Sequence, residues 1–135
     1  MYVLAALALV VVVLTRMRLK PGLNAAGRTK AIPAVVNVHT VAGLLGVVAW
    51  TLFLAFGNDT FLGGPGFGIV ALGLLWITVV AGLLILVRWL PTRGRHAGQG
   101  GEDNWSQGPG LSLLAHLGMF AGVLFDTVAY LLEWV

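Results

Sequence analysis

The placement of charge constrains this chain more than any other feature. Charged side chains gather between, and at the ends of, four long apolar runs: residues 2–19, 33–56, 67–90 and 111–135. Each run is close to the roughly 20 helical residues needed to cross a hydrocarbon core of about 30 Å. Only 10% of the residues are charged and 59% are hydrophobic, against about 25% and 45–50% in a soluble domain. A soluble domain of this size buries only about two-thirds of the surface its unfolded chain exposes, and the remainder must be wetted. The chain lacks the polar residues for that. The expected fold is therefore all-α: one integral membrane domain, a four-helix bundle.

The breakers agree with these spans. Lys20-Pro21-Gly22 closes the first run and Pro91 the third. The first run is the marginal one, because only Tyr2 to Thr15 is free of charge; to span, it needs Arg16, Arg18 and Lys20 to extend their stems to the interface. Its basic residues follow the apolar stretch instead of preceding it, and no small-residue cleavage site is evident, so it reads as a retained helix and not a removed signal.

All eight basic residues fall on one side: Arg16, Arg18, Lys20, Arg28 and Lys30 after the first run, Arg88, Arg93 and Arg95 around the end of the third. The positive-inside rule assigns that side to the cytoplasm and puts both termini outside. Tyr2, Trp50, Phe53, Phe56, Tyr130 and Trp134 would then form an outer aromatic belt, with Asp59 and Glu133 beside it, and Trp89 and Trp105 an inner one. The short glycine-rich loop from Gly57 to Gly66 makes the second and third helices antiparallel neighbours. The segment from Pro91 to Gly110 reads as a polar cytoplasmic loop. Each half of the chain follows the same plan, a helix, a basic loop, a proline and a second helix bearing a histidine, as in parallel repeats about an axis normal to the membrane.

The absence of cysteine removes disulfides, thiolate metal sites and cysteine nucleophiles. The pI near 10.0 does not indicate nucleic acid, because the bases lie where membrane topology requires them. His39 and His116 are the sharpest chemical feature. They follow Pro33 and Pro109 by similar spacings, which places both about 10 Å from the inner ends of their helices. Two neutral imidazoles at one depth suit a b-type haem, and Ala42, Gly43, Gly46, Gly118 and Gly122 supply small residues around them. Met119, one turn from His116, is a weaker axial candidate. The plainer reading is that the histidines hydrogen-bond neighbouring helices or polar groups such as Asn37 and Thr40. For zinc or copper no third ligand lies nearby in sequence.

Asp126 is the second anomaly, an ionisable group in the outer half of the last helix with Tyr130 one turn away as its expected hydrogen-bond partner. It suits either a proton or ion route or, more simply, a packing carboxylate near the interface. Gly118 and Gly122 form a small-xxx-small pattern that marks a packing face. Gly63-Gly64-Pro65-Gly66 reads as a turn, because no lysine or hydroxyl residue completes a phosphate-binding loop. The basic rim of Arg16, Arg18, Lys20, Arg28 and Lys30 attracts anionic lipids such as cardiolipin, at about 1 kcal/mol per charge.

The four-run plan with His39 and His116 resembles the small membrane anchors of succinate dehydrogenase and other b-type cytochromes. In size, composition and plan the whole chain is also similar to the four-helix proteins that accompany actinobacterial cytochrome bcc–aa3 supercomplexes. Small size, the short outer loop and the lack of a complete catalytic constellation favour a non-catalytic accessory, assembly or stabilising subunit of a larger complex, of the respiratory type that the resemblance suggests, in the bacterial plasma membrane, with other integral membrane subunits as partners and no cofactor or metal of its own. The alternative is a bis-histidine b-type cytochrome passing electrons to or from quinone through His39 and His116. A small transporter using Asp126 ranks third.

Overall fold

The structure, a computed structural model, describes residues 1–18, 33–93 and 109–135. Apart from short connections these are helical: α1 Tyr2–Arg18, α2 Pro33–Ala55, α3 Pro65–Arg93 and α4 Pro109–Leu131. Three of the four begin on proline, whose missing N–H is one of the donors a first turn leaves unpaired anyway and whose φ is already helical. Pro33–Ala55, Pro65–Val87 and Ser112–Leu131 are long and apolar enough to cross a membrane, whereas the apolar Tyr2–Met17 is shorter.

The observed boundaries correct the expected ones in instructive ways. α3 starts at Pro65 instead of Phe67 and runs through Pro91 to Arg93. Pro91 has no N–H to donate to Val87 O, and a proline ring crowds the carbonyl four residues back, yet the helix carries on two residues further to Arg93. α4 starts at Pro109, before Leu111, and stops at Leu131 instead of continuing to Val135. Glu133 turns left-handed at φ 55°. Trp134 N–H then donates to Ala129 O at 2.9 Å and Glu133 N–H to Tyr130 O at 3.1 Å, the paired closure of a Schellman turn. α2 ends one residue before the expected Phe56, and the expected end of α1 at Leu19 lies outside the described residues.

The helices alternate in direction. At one end Tyr2 Oη donates to Leu54 O at 3.0 Å, and Tyr130 Oη donates to Pro65 O at 2.7 Å. At the other, Arg16 Nη1 donates to Asn37 Oδ1 at 2.7 Å. Both termini therefore lie at the same end as the α2–α3 connection, where Val135 packs onto the core. α2 lies along α3 over the most extensive contact, and α4 closes onto α3 and α1; among the described residues the diagonal pairs α1/α3 and α2/α4 make no close backbone approach.

Trp50 is the centre of the core, fully buried and stacked on Phe53 with ring centroids 5.1 Å apart; Phe53 in turn meets Tyr130 at 5.7 Å. Trp50 and Phe53 thus face inward and do not belong to an interfacial belt, while Tyr2, Phe56 and Trp134 remain exposed at that end. The α2–α3 connection is a turn built on Thr60: its Oγ1 donates to Gly57 O at 2.8 Å and accepts from Gly63 N–H at 3.1 Å. A Cβ on Gly63 would sit 2.3 Å from the carbonyl oxygens of both Phe56 and Gly57, so only glycine fits there.

Candidate functional site

α2 and α4 do not touch through their backbones, yet each projects a histidine into the space between them. The rings of His39 and His116 lie 6.2 Å apart, centroid to centroid, tilted by 37°. They are 2% and 8% exposed. α3 supplies the third wall. A Cβ on Gly82 would come within 2.9 Å of His116 Cδ2 and 3.2 Å of both Cδ2 and Nε2 of His39, so both imidazoles rest against bare backbone.

The hydrogen bonding of the pair is incomplete. His116 Nδ1 lies 2.7 Å from Ser112 O; a carbonyl only accepts, so Nδ1 carries the proton and Nε2 holds the lone pair. His116 Nε2 and His39 Nδ1 are both buried without a hydrogen-bond partner. Asn37 and Thr40, the expected polar neighbours, are engaged elsewhere: Asn37 accepts from Arg16, and Thr40 Oγ1 donates to Val36 O. Both rings line a cavity of about 30 Å³ together with Val12, Thr78, Val79 and Met119. That is room for about one water molecule.

A haem does not fit between the rings as they are packed. A macrocycle held by two axial imidazoles fills the plane between them, whereas the space beside these rings is about 30 Å³ and even a Cβ on Gly82 would crowd both of them. The small residues around the histidines are likewise filled by protein. A Cβ on Gly43 would lie 2.5 Å from Val12 Cγ2, and one on Gly46 3.1 Å from the Leu75 backbone nitrogen. Ala42 is buried in the same face of α2.

The remaining site residues are placed as follows. A Cβ on Gly122 would meet Leu4 Cδ2 of α1 at 3.5 Å, an ordinary contact, whereas one on Gly118 would meet nothing within 4 Å. The two glycines do not serve one packing surface within the chain. Asp126 is 3% exposed and its Oδ1 has no hydrogen-bond partner. Tyr130 donates to Pro65 O and not to Asp126. Thr127, next to Asp126, accepts from Trp76 Nε1 at 3.1 Å and itself donates to Val123 O, which ties α3 to α4. Of the basic rim, Arg16 is bonded to Asn37 and Arg18 closes α1; Lys20, Arg28 and Lys30 lie outside the described residues, as do Trp105 and the loop beyond Arg93.

Gly82, Thr78 and the Ser112 carbonyl carry no motif in the sequence. The one signal for Gly82 is the small pair Ala81-Gly82, a notch in an otherwise bulky Leu, Ile and Val run. No family model, curated protein or solved structure matches the chain.

Proposed function

We propose that the chain is a non-catalytic accessory subunit that assembles or stabilises a larger bacterial membrane complex of the respiratory type. In this reading its four helices form a bundle in the plasma membrane with both termini outside, and the basic inner rim holds anionic lipids such as cardiolipin. The observation that supports it is a lateral groove between the start of α2 and the middle of α3. It has a volume of about 450 Å³ and apolar walls that include Val35, Val38, Trp76, Ile77, Val80 and Leu84. Helices associate within a bilayer through close van der Waals fit, because lipid tails are as apolar as leucine and no hydrophobic gradient drives them together. A concave, wholly apolar flank offers that fit to a neighbouring helix.

The test is comigration. After gentle detergent extraction, native gels should show the protein with a larger complex, and Val80→Trp, which fills the groove, should release it while leaving the helical circular dichroism intact. Recovery of the wild type as free monomer alone would overturn the proposal.

A further inference from the structure

We propose that His39, His116 and Met119 hold a single soft monovalent metal ion, Cu(I) in character, in the cavity they line between the helices. The inference is independent of the accessory role. It starts from the two ring nitrogens, His39 Nδ1 and His116 Nε2, buried without partners in residues at least nine-tenths buried. Unpaired polar nitrogen in an apolar interior is costly, and two rings 6.2 Å apart that each leave one nitrogen unpartnered on the walls of a common cavity call for an occupant. His116 is also oriented as metal-binding histidines are: its Nδ1–H is committed to the Ser112 carbonyl, fixing the tautomer with the Nε2 lone pair free.

The third donor comes from folding. Met119 lies one turn beyond His116, and the structure places it on the wall of the same 30 Å³ cavity as both histidines. Among the described residues no group of three His, Cys, Asp or Glu side chains occurs, so the donor set is two imidazoles and a thioether. Thr78 Oγ1, the other polar atom on that wall, already donates to Leu74 O at 2.8 Å.

This set selects its ion. Zinc takes four ligands in structural sites and three plus water in catalytic ones, and the cavity offers neither a fourth side chain nor space for three protein ligands, the ion and water together. All three donors are neutral, so the bound ion keeps its full charge in a low-dielectric interior. The cost of burying that charge rises with its square, which favours a monovalent over a divalent cation. Thioether sulfur selects Cu(I), and imidazole accepts copper equally well. Gly82 contributes by absence, because any side chain there would push both rings away from their present separation.

The experiment uses the full chain purified in detergent, kept anaerobic and reduced, and titrated with Cu(I) against a chromophoric Cu(I) chelator. The expected result is one equivalent of copper withdrawn per chain, with no Zn(II) retained under the same conditions. His39→Gln and His116→Gln should abolish retention, and Met119→Leu should weaken it by about tenfold or more. Because Met119→Leu nearly conserves volume and shape, it carries the test even if the histidine variants fail to fold. X-ray absorption of the copper-loaded wild type should show a sulfur scatterer that M119L lacks. A cavity holding only water would leave the wild type without copper and overturn the proposal. So would M119L binding as tightly as the wild type, or stoichiometric retention of zinc.

Discussion

Replacing Gly46 by alanine sets two measurable effects against each other at the α2–α3 contact. The new methyl would meet the Leu75 backbone nitrogen at 3.1 Å, Leu75 Cδ2 at 3.1 Å and Leu74 Cβ at 3.2 Å. Two of these atoms are backbone or Cβ and cannot rotate aside, so α2 and α3 must separate by a few tenths of an ångström. Overpacking of this kind costs about 1–3 kcal/mol. Against it stands the gain from removing a glycine from a helix interior, about 0.8–1.0 kcal/mol in water and less where the denatured state remains helical in detergent. Gly73 provides the internal reference, because a Cβ there has nothing within 4 Å. Gly73→Ala shares the propensity gain without the steric cost, so the difference between the two variants isolates packing. Gly46→Ala should therefore be less stable than Gly73→Ala by about 1–3 kcal/mol. The assay is SDS titration in mixed micelles, followed by helical circular dichroism and by tryptophan fluorescence, with Trp50 and Trp76 as reporters inside or beside the contact. Equal stabilities, within about 0.5 kcal/mol, would refute the claim that this contact is closed by glycine.

Three further outcomes follow from single contacts. Tyr130→Phe, which removes the 2.7 Å bond to Pro65 O, should lower stability by about 0.5–1.5 kcal/mol in the same titration, and no change would show that the bond is matched by solvent. Glu133→Gly should raise stability by about 1 kcal/mol, because Glu133 holds φ at 55° and glycine adopts that region without a steric penalty; a loss would mean that the Glu133 side chain contributes more than its backbone costs. Protein from haem-replete cells should show no b-type band in a reduced-minus-oxidised spectrum, since Gly82 packs against both histidine rings. A band that disappears in both His39→Ala and His116→Ala would show that the rings separate around a macrocycle.

The histidine pair was legible because proline fixes where a helix begins. With Pro33 and Pro109 both opening helices that run the same way, counting residues places His39 and His116 at one depth, and the structure joins them. Gly82 was not legible, because α3 starts on Pro65 at the opposite end and runs the other way, and its all-round apolar surface gives no periodic signal of which face meets the histidines. Trp50 and Phe53 show a second limit. Their positions along α2 suit an aromatic belt, but a helix apolar on every side carries no periodic signal of which face turns inward. Only the fit against Ala71, Leu72 and Leu75 decides it. The end of α4 shows a third: nothing in Leu131 to Val135 breaks a helix by composition, and the stop depends on one glutamate entering a conformation that glycine usually fills.

The unequal lengths of the helices bear on the surrounding lipid. The described part of α1 has 17 residues and extends about 25 Å, against a hydrocarbon core of about 30 Å. Its neighbours α2 and α4 each have 23 residues. In the four-span arrangement proposed above, the bilayer is matched on one flank and must thin on the other, at fractions of a kcal/mol per ångström. The molecule is then wedge-like toward its lipids. Thinner membranes relieve the deficit at α1, and so does a neighbouring protein that displaces lipid from that side, so bilayer thickness itself becomes a variable controlling how readily this chain assembles.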